Sequence, residues 1–207
     1  MKVNQFITQL QKAVNVKTLY VRAAIGSPMT PYMKERYLKN AYNAKPERAE
    51  KIKNCSNDTF GFDCSGLVKG ILWGWDAKLN ETYGGAVYAS NGVPDFNANT
   101  FINVCKDVST NFNTIIKGEF VWMDGHCGIY IGDGKVIECT PKWKDGVQIT
   151  NLNGRGWVKH GKLPYVEYET NTIQVGVLGS TIDVTTTYNE ITIKVPKGTD
   201  INIKNKN

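Results

Sequence analysis

Two short stretches of this chain hold residue types that can do nucleophilic chemistry together. The first is Phe62-Asp63-Cys64-Ser65-Gly66, which runs straight into Leu67-Val68-Lys69-Gly70-Ile71-Leu72-Trp73. A cysteine just ahead of an apolar stripe stands at the first turn of a helix. Unpaired amides and the helix dipole there favour thiolate over thiol. A thiolate attacks carbonyl carbon at neutral pH; it needs a partner base. The chain has only two histidines. His160 lies in Val158-Lys159-His160-Gly161, which reads as a closing loop, so His126 is the preferred base.

His126 sits in the second stretch, Trp122-Met123-Asp124-Gly125-His126-Cys127-Gly128-Ile129-Tyr130-Ile131-Gly132-Asp133-Gly134-Lys135-Val136-Ile137-Glu138-Cys139. Two apolar runs flank Gly132-Asp133-Gly134, a hairpin signal. A two-residue loop would pair Gly132 with Lys135 and turn Glu138 away from His126. A three-residue loop, with Gly134 left-handed in a bulge, pairs Ile131 with Lys135. The second register is favoured because it sorts the residues cleanly. His126, Gly128, Tyr130, Val136 and Glu138 then share one face, and Cys127, Ile129, Ile131, Ile137 and Cys139 share the other. Gly128 leaves room for His126 and Glu138 to meet. The expected set is a nucleophile, Cys64; a base, His126; and a carboxylate, Glu138, that orients the imidazole.

These residues need a helix and a sheet to hold them. Leu67, Val68, Ile71, Leu72 and Trp75 form a buried stripe along a helix expected over residues 63–75. Gly66, Gly70 and Gly74 weaken that helix, so close packing against a sheet must compensate. Strands are expected over 119–123, 127–131, 135–139 and 147–151. Val3, Phe6, Ile7, Leu10 and Val14 share a face of an N-terminal helix, with Asn4 as its cap. Leu19–Ala24 is a short apolar run ending in a turn at Gly26-Ser27-Pro28. Residues 32–53 are charged and helix-permissive, interrupted near Pro46. Residues 80–99, rich in Gly, Asn and Tyr, read as an irregular surface loop. Residues 171–207 alternate with period two and form a β-rich tail, too short to fold independently with assurance. Two regions follow: a main domain over 1–169 and an appendage over 170–207.

The bulk numbers exclude several classes. With 41% hydrophobic and 21% charged residues among 207, the composition is that of a globular protein with a core. The net charge of +6 favours polyanions in general. Many of the cations lie at 33–53 among Glu35, Glu47 and Glu50, the pattern of a solvated helical face. That argues against nucleic acid as a partner. The five cysteines, 55, 64, 105, 127 and 139, form neither a disulfide framework nor a zinc-type spacing. No metal and no cofactor are expected. No apolar stretch has the length of a signal peptide core or of a spanning helix, so cytoplasmic synthesis without membrane insertion is expected.

The two stretches together resemble the signatures of the NlpC-type cell-wall cysteine peptidases. The resemblance runs from about Leu19 to Tyr168. It implies a papain-like α+β fold, in which a helix bearing the cysteine packs on an antiparallel sheet bearing the histidine. It implies Cys64 as nucleophile and His126 as base. Glu138 falls at the family's third polar position, commonly His, Asn or Gln, so a carboxylate there is a departure. Leu19-Tyr20-Val21 resembles the family's Tyr-Val segment, whose tyrosine lines the site; Arg22-Ala23-Ala24 and a long insertion to Asn57 replace its usual continuation. Asp63 and Ser65 match positions that border the substrate's amine side. Tyr20, Asp63 and Ser65 are thus the implied substrate-binding residues.

The resemblance also implies the substrate, bacterial peptidoglycan, and hydrolysis of stem-peptide bonds next to γ-D-glutamyl through a thioester. Cytoplasmic synthesis with a wall-degrading domain resembles a bacteriophage endolysin, which reaches the wall at lysis. One alternative is an N-acetylmuramoyl-L-alanine amidase with the same thiol chemistry. The other is a non-catalytic wall-binding protein with an inert papain-like scaffold. For the tail, packing on the main domain, homo-oligomer formation and wall binding all stay open.

Overall fold

In the computed structural model, the structure describes Met1–Tyr168 throughout and, beyond it, the backbone of three strands. The chain divides into two compact units, Met1–Tyr168 and Glu169–Asn207. The first opens with helix α1 (Val3–Val14), whose Val3, Phe6, Ile7, Leu10 and Ala13 are buried. Its N-cap is Lys2 rather than the expected Asn4. The helix begins earlier because the chain before it is held: Lys2 bridges Glu167, and the Val3 amide donates to the Glu167 carbonyl at 2.9 Å.

A small sheet follows, built from β1 (Thr18–Tyr20), β2 (Ile25–Pro28) and β3 (Phe60–Phe62) in the order β1-β3-β2. Gly26-Ser27-Pro28, expected as a turn, is therefore strand; the reversal comes earlier, at Arg22–Ala24, where Ala23 has a positive φ of 66°. The 22–57 insertion holds helices α2 (Pro31–Leu38) and α3 (Pro46–Asn54). Thr30 accepts from the Met33 amide to cap α2, and a proline opens each helix, where its missing N–H costs no bond. Met33, Tyr37 and Ile52 gather with Leu19, Val21, Ala24 and Met29 into a core of their own.

The central helix α4 (Cys64–Leu72) is buried along its whole length. It packs between the small sheet and a larger antiparallel one. At Gly66 a side chain is excluded: a Cβ would stand 2.0 Å from the Ala24 carbonyl oxygen. At Gly70 the approach is looser, a Cβ there standing 3.2 Å from the Ile25 carbonyl oxygen. The propensity lost at these glycines is the cost of that approach.

The larger sheet comprises β4 (Lys106–Ser109), β5 (Phe120–Met123), β6 (His126–Gly132), β7 (Lys135–Thr140), β8 (Gly146–Asn151) and β9 (Lys159–Lys162), in the order β4-β9-β5-β6-β7-β8. Helix α5 (Ala98–Val104) precedes it, and Phe101 joins the core with Phe120. Cys127, Ile129, Ile137 and Cys139 face the core that holds Leu67, Val68 and Ile71 of α4. Val136 lies on the opposite face, with Val121 and Trp157. Helices and antiparallel sheet thus make an α+β fold in which the cysteine-bearing helix packs on the histidine-bearing sheet.

The β6–β7 hairpin corrects one expectation and keeps its consequence. Its loop is two residues, Asp133 and Gly134, both left-handed, and it closes the pair Gly132–Lys135. The extra residue sits one step inside, at a bulge between Tyr130 and Gly132. That bulge restores the favoured pairing below it, Tyr130 with Val136 and Ile129 with Ile137.

In the second unit, β10 (Asn171–Val177), β11 (Ser180–Thr187) and β12 (Glu190–Ile193) form an antiparallel sheet in the order β10-β11-β12. What the tail does lies outside the described residues.

Candidate active site

Asp63 is the N-cap of α4. Its Oδ1 accepts from the Gly66 amide at 2.6 Å and from the Ser65 hydroxyl at 3.2 Å. Its Oδ2 accepts from the Ala23 amide at 2.8 Å. One carboxylate therefore caps the helix and ties it to the loop after β1. Burial and the neighbouring Cys64 push its pKa up to about 6. Cys64 occupies the first helical position, where its amide has no acceptor inside the helix.

Cys64 Sγ lies near three groups. It approaches the Gly125 carbonyl at 3.9 Å, and Cys127 and His126 both act on its charge. Cys127 and His126 hold the Cys64 thiol well below its ordinary value, against the opposing effect of burial. The Cys127 thiol moves the other way: burial and the neighbouring Cys64 raise it. The spatial meeting of Cys64 and His126, expected from motif order, is present.

His126 Nε2 lies 2.6 Å from Glu138 Oε2. With Nε2–H donated to the carboxylate, Nδ1 is the nitrogen left for the sulfur. Burial acts to lower the imidazole pKa, but its bonds to Cys64 and Glu138 prevail and raise it to about 9. Glu138 is completely buried. Burial alone would raise its pKa; bonds from Arg155, His126 and Thr150 bring it to about 2. Gly128 is what permits this approach, since a Cβ there would press within 2.6 Å of Val136 and 3.2 Å of the Glu138 Cβ.

Sequence reading missed Arg155. Its Nε donates to Glu138 Oε1 at 2.8 Å and its Nη2 to Oε2 at 2.5 Å. Thr150 adds a hydroxyl to Oε1 at 2.6 Å. The guanidinium lies over the Trp143 ring at 5.1 Å and the Trp157 ring at 5.5 Å. Trp157 in turn stacks on the His126 imidazole, with centroids 5.6 Å apart and planes 12° from parallel. Only the Gly154-Arg155-Gly156 turn, with both glycines at positive φ, marked the spot in the sequence. Nothing in that pattern points to a carboxylate on another strand.

A cleft of about 400 Å³ opens beside the sulfur. Tyr20, Arg22, Asp63, Ser65, Asn99 and Asn103 are among its lining residues. Tyr20 is itself buried, and its hydroxyl pKa is raised by burial and by Cys64 and Asp63. Asn99 braces the turn that carries His126: its Oδ1 accepts from the Gly125 amide and from the Trp122 indole, both at 2.9 Å. Tyr20, Asp63 and Ser65 thus all border the cleft, although the Asp63 oxygens are bonded within the protein.

His160 is not in a loop. It lies on β9, buried, with Nδ1 2.5 Å from Glu119 and Nε2 3.1 Å from the Asn111 carbonyl, on the far side of β5 from His126. Cys139 donates to the Phe62 carbonyl in the core. Among the described residues no group of His, Cys, Asp and Glu could hold a metal ion. No helix among them is long and apolar enough to cross a membrane.

No curated protein matches the chain. Among solved structures, the P60 domain of an antigen from M. avium subspecies paratuberculosis is 16% identical, with a TM-score of 0.46 and coverage of 77% of this chain and 93% of that one. The peptidoglycan hydrolase RipB from Mycobacterium tuberculosis is 18% identical, with a TM-score of 0.46 and coverage of 80% and 65%. The NlpC/P60 family matches residues 50–164, more than half of the 207. That span holds both the cysteine helix and the histidine hairpin, and by this match the chain belongs to the NlpC/P60 family.

Proposed function

We propose that this NlpC/P60 member, a cell-wall cysteine peptidase or amidase, hydrolyses peptidoglycan stem peptides next to γ-D-glutamyl with Cys64, His126 and Glu138 as its catalytic set. The observation that carries this reading is that Cys64 lines a cleft and interacts with His126, whose Nε2 lies 2.6 Å from the buried Glu138. Cys64 thiolate attacks the stem carbonyl carbon, and amides at the start of α4 receive the oxyanion. His126 gives its proton to the departing amine as the C–N bond breaks, leaving a thioester. Neutral His126 then takes a proton from water, which adds to the thioester and releases the acid and the thiolate. Glu138 steadies the imidazolium through both steps.

Family membership and the cleft support a peptide of the wall as substrate, while the choice of bond rests on the resemblance of the motifs. Fragment masses from digested walls test it. New amino groups on shortened stems are expected; bare glycan with full-length stems would replace the endopeptidase by the amidase. Cys64→Ala abolishes release, and unchanged turnover in that variant would end the catalytic reading in favour of a wall-binding protein. An endolysin role predicts lysis when the protein is applied to intact target cells.

A further inference from the structure

The third member of this site is a full carboxylate, Glu138, with no exposed surface. An unpaired carboxylate at zero exposure would be costly, and it would bind the imidazolium too firmly to let the proton go. Arg155 meets Glu138 with two parallel bonds and is itself nearly buried, with 10% of its side chain exposed. Its guanidinium lies over the Trp143 and Trp157 rings. The same Trp157 fixes the imidazole plane. The Nη2 atom stands 3.2 Å from His126 Nε2, so cation and imidazole share one carboxylate oxygen.

We propose that Arg155 is the positioning residue that makes a glutamate workable at the third position: it offsets the Glu138 charge and aims Oε2 at His126, so the pair acts on the imidazole as a neutral, oriented acceptor. The proposal rests on the reading of His126 as the catalytic base. The charged or titratable groups around the imidazole are few: Cys64 from α4, Glu138 from β7 and Arg155 from the turn after β8. Cys127 lies next to the sulfur and Asp63 behind it. Among the described residues, Arg155 is the one that sets a fixed positive charge against the base.

This arrangement has a signature that a purely structural arginine lacks. Arg155→Met leaves Glu138 undiluted, so His126 becomes harder to deprotonate. Glu138→Gln leaves Arg155 unopposed, so His126 becomes easier to deprotonate. Removing both returns the imidazole towards the wild-type value. The measurement is the pH titration of the His126 ring resonance by NMR in the full chain, with two histidines to assign. It is read alongside the pH dependence of Cys64 alkylation by iodoacetamide.

The expected shifts are about one unit upward for R155M and about one to two downward for E138Q, with E138Q/R155M between them. R155K keeps the charge and loses the fork; its titration stays near wild type while turnover on purified walls falls about 10- to 100-fold. Shifts of one sign in both single variants, or a double variant no nearer wild type than either, overturn the proposal. If R155M does not fold, E138Q against E138Q/R155M still decides, because deleting Arg155 must then raise the His126 midpoint. Neither titration uses substrate. A wild-type protein that titrates this way but leaves walls intact would sink the proposed function and not this role.

Discussion

At the scale of single residues, the chemistry depends on opposed shifts within a few ångströms. Cys64 is held low, His126 is raised to about 9, and Glu138 is lowered to about 2. A lowered thiol beside a raised imidazole favours the thiolate–imidazolium pair, and that pair ends on the alkaline side when His126 loses its proton. In the proposed mechanism, acylation needs that proton for the leaving amine. Wall hydrolysis is thus expected to fall as pH rises through about 9, measured as initial rates of amine release; a flat profile to pH 10 would contradict the assigned base. Glu138 also contributes to stability with a definite sign. A carboxylate lowered from 4.5 to about 2 stabilises the fold fully above about 4.5, and the contribution disappears as pH falls through 2. The difference in Tm between wild type and E138Q should accordingly be largest near neutrality and shrink in acid.

At the scale of elements, the site is held by close approaches that glycine alone allows. Gly66→Ala places a methyl against the Ala24 carbonyl at 2.0 Å, and backbone on both sides leaves little room to yield. A loss of about 1–3 kcal/mol or more is expected in urea unfolding, with Cys64 displaced and its alkylation slowed. Much of this level was legible in the sequence. The stripe from Leu67 gave the helix, which stops at Leu72 rather than at the expected residue 75 because Gly74 turns left-handed; the alternation of 119–151 gave four strands, and the motif order gave the Cys64–His126 meeting. The hairpin turn was misread because a bulge at Ile131 and a two-residue loop yield the same pairing below as a three-residue loop does. Strand β2 was missed because Gly26 and Pro28 look like punctuation, yet an edge strand tolerates both. Arg155 was missed because its partner is 17 residues away, on a strand whose facing is fixed only by tertiary pairing.

At the scale of the molecule, the described chemistry lies wholly within Met1–Tyr168. Truncation after Tyr168 is therefore expected to leave Cys64 alkylation and its pH dependence unchanged. Sedimentation with purified walls then separates a binding tail, which lowers the bound fraction when removed, from an inert one, which does not. A shift in oligomeric size on truncation would assign self-association instead. The 22–57 insertion is braced differently. Arg48 of α3 reaches Asp145 at 2.5 Å and the Tyr20 carbonyl, so the added helices grip the strand end that carries Tyr20 into the cleft.

The indole face laid flat on His126 gives this protein an internal optical probe. A cationic ring in that position drains the excited state of Trp157, and a neutral one releases it. Emission should therefore brighten as the alkali titration removes the imidazole proton, with Trp157→Phe as the blank for the other four tryptophans. A stopped-flow trace during a single turnover would then show, as a change in brightness, when the proton leaves the base and when it returns.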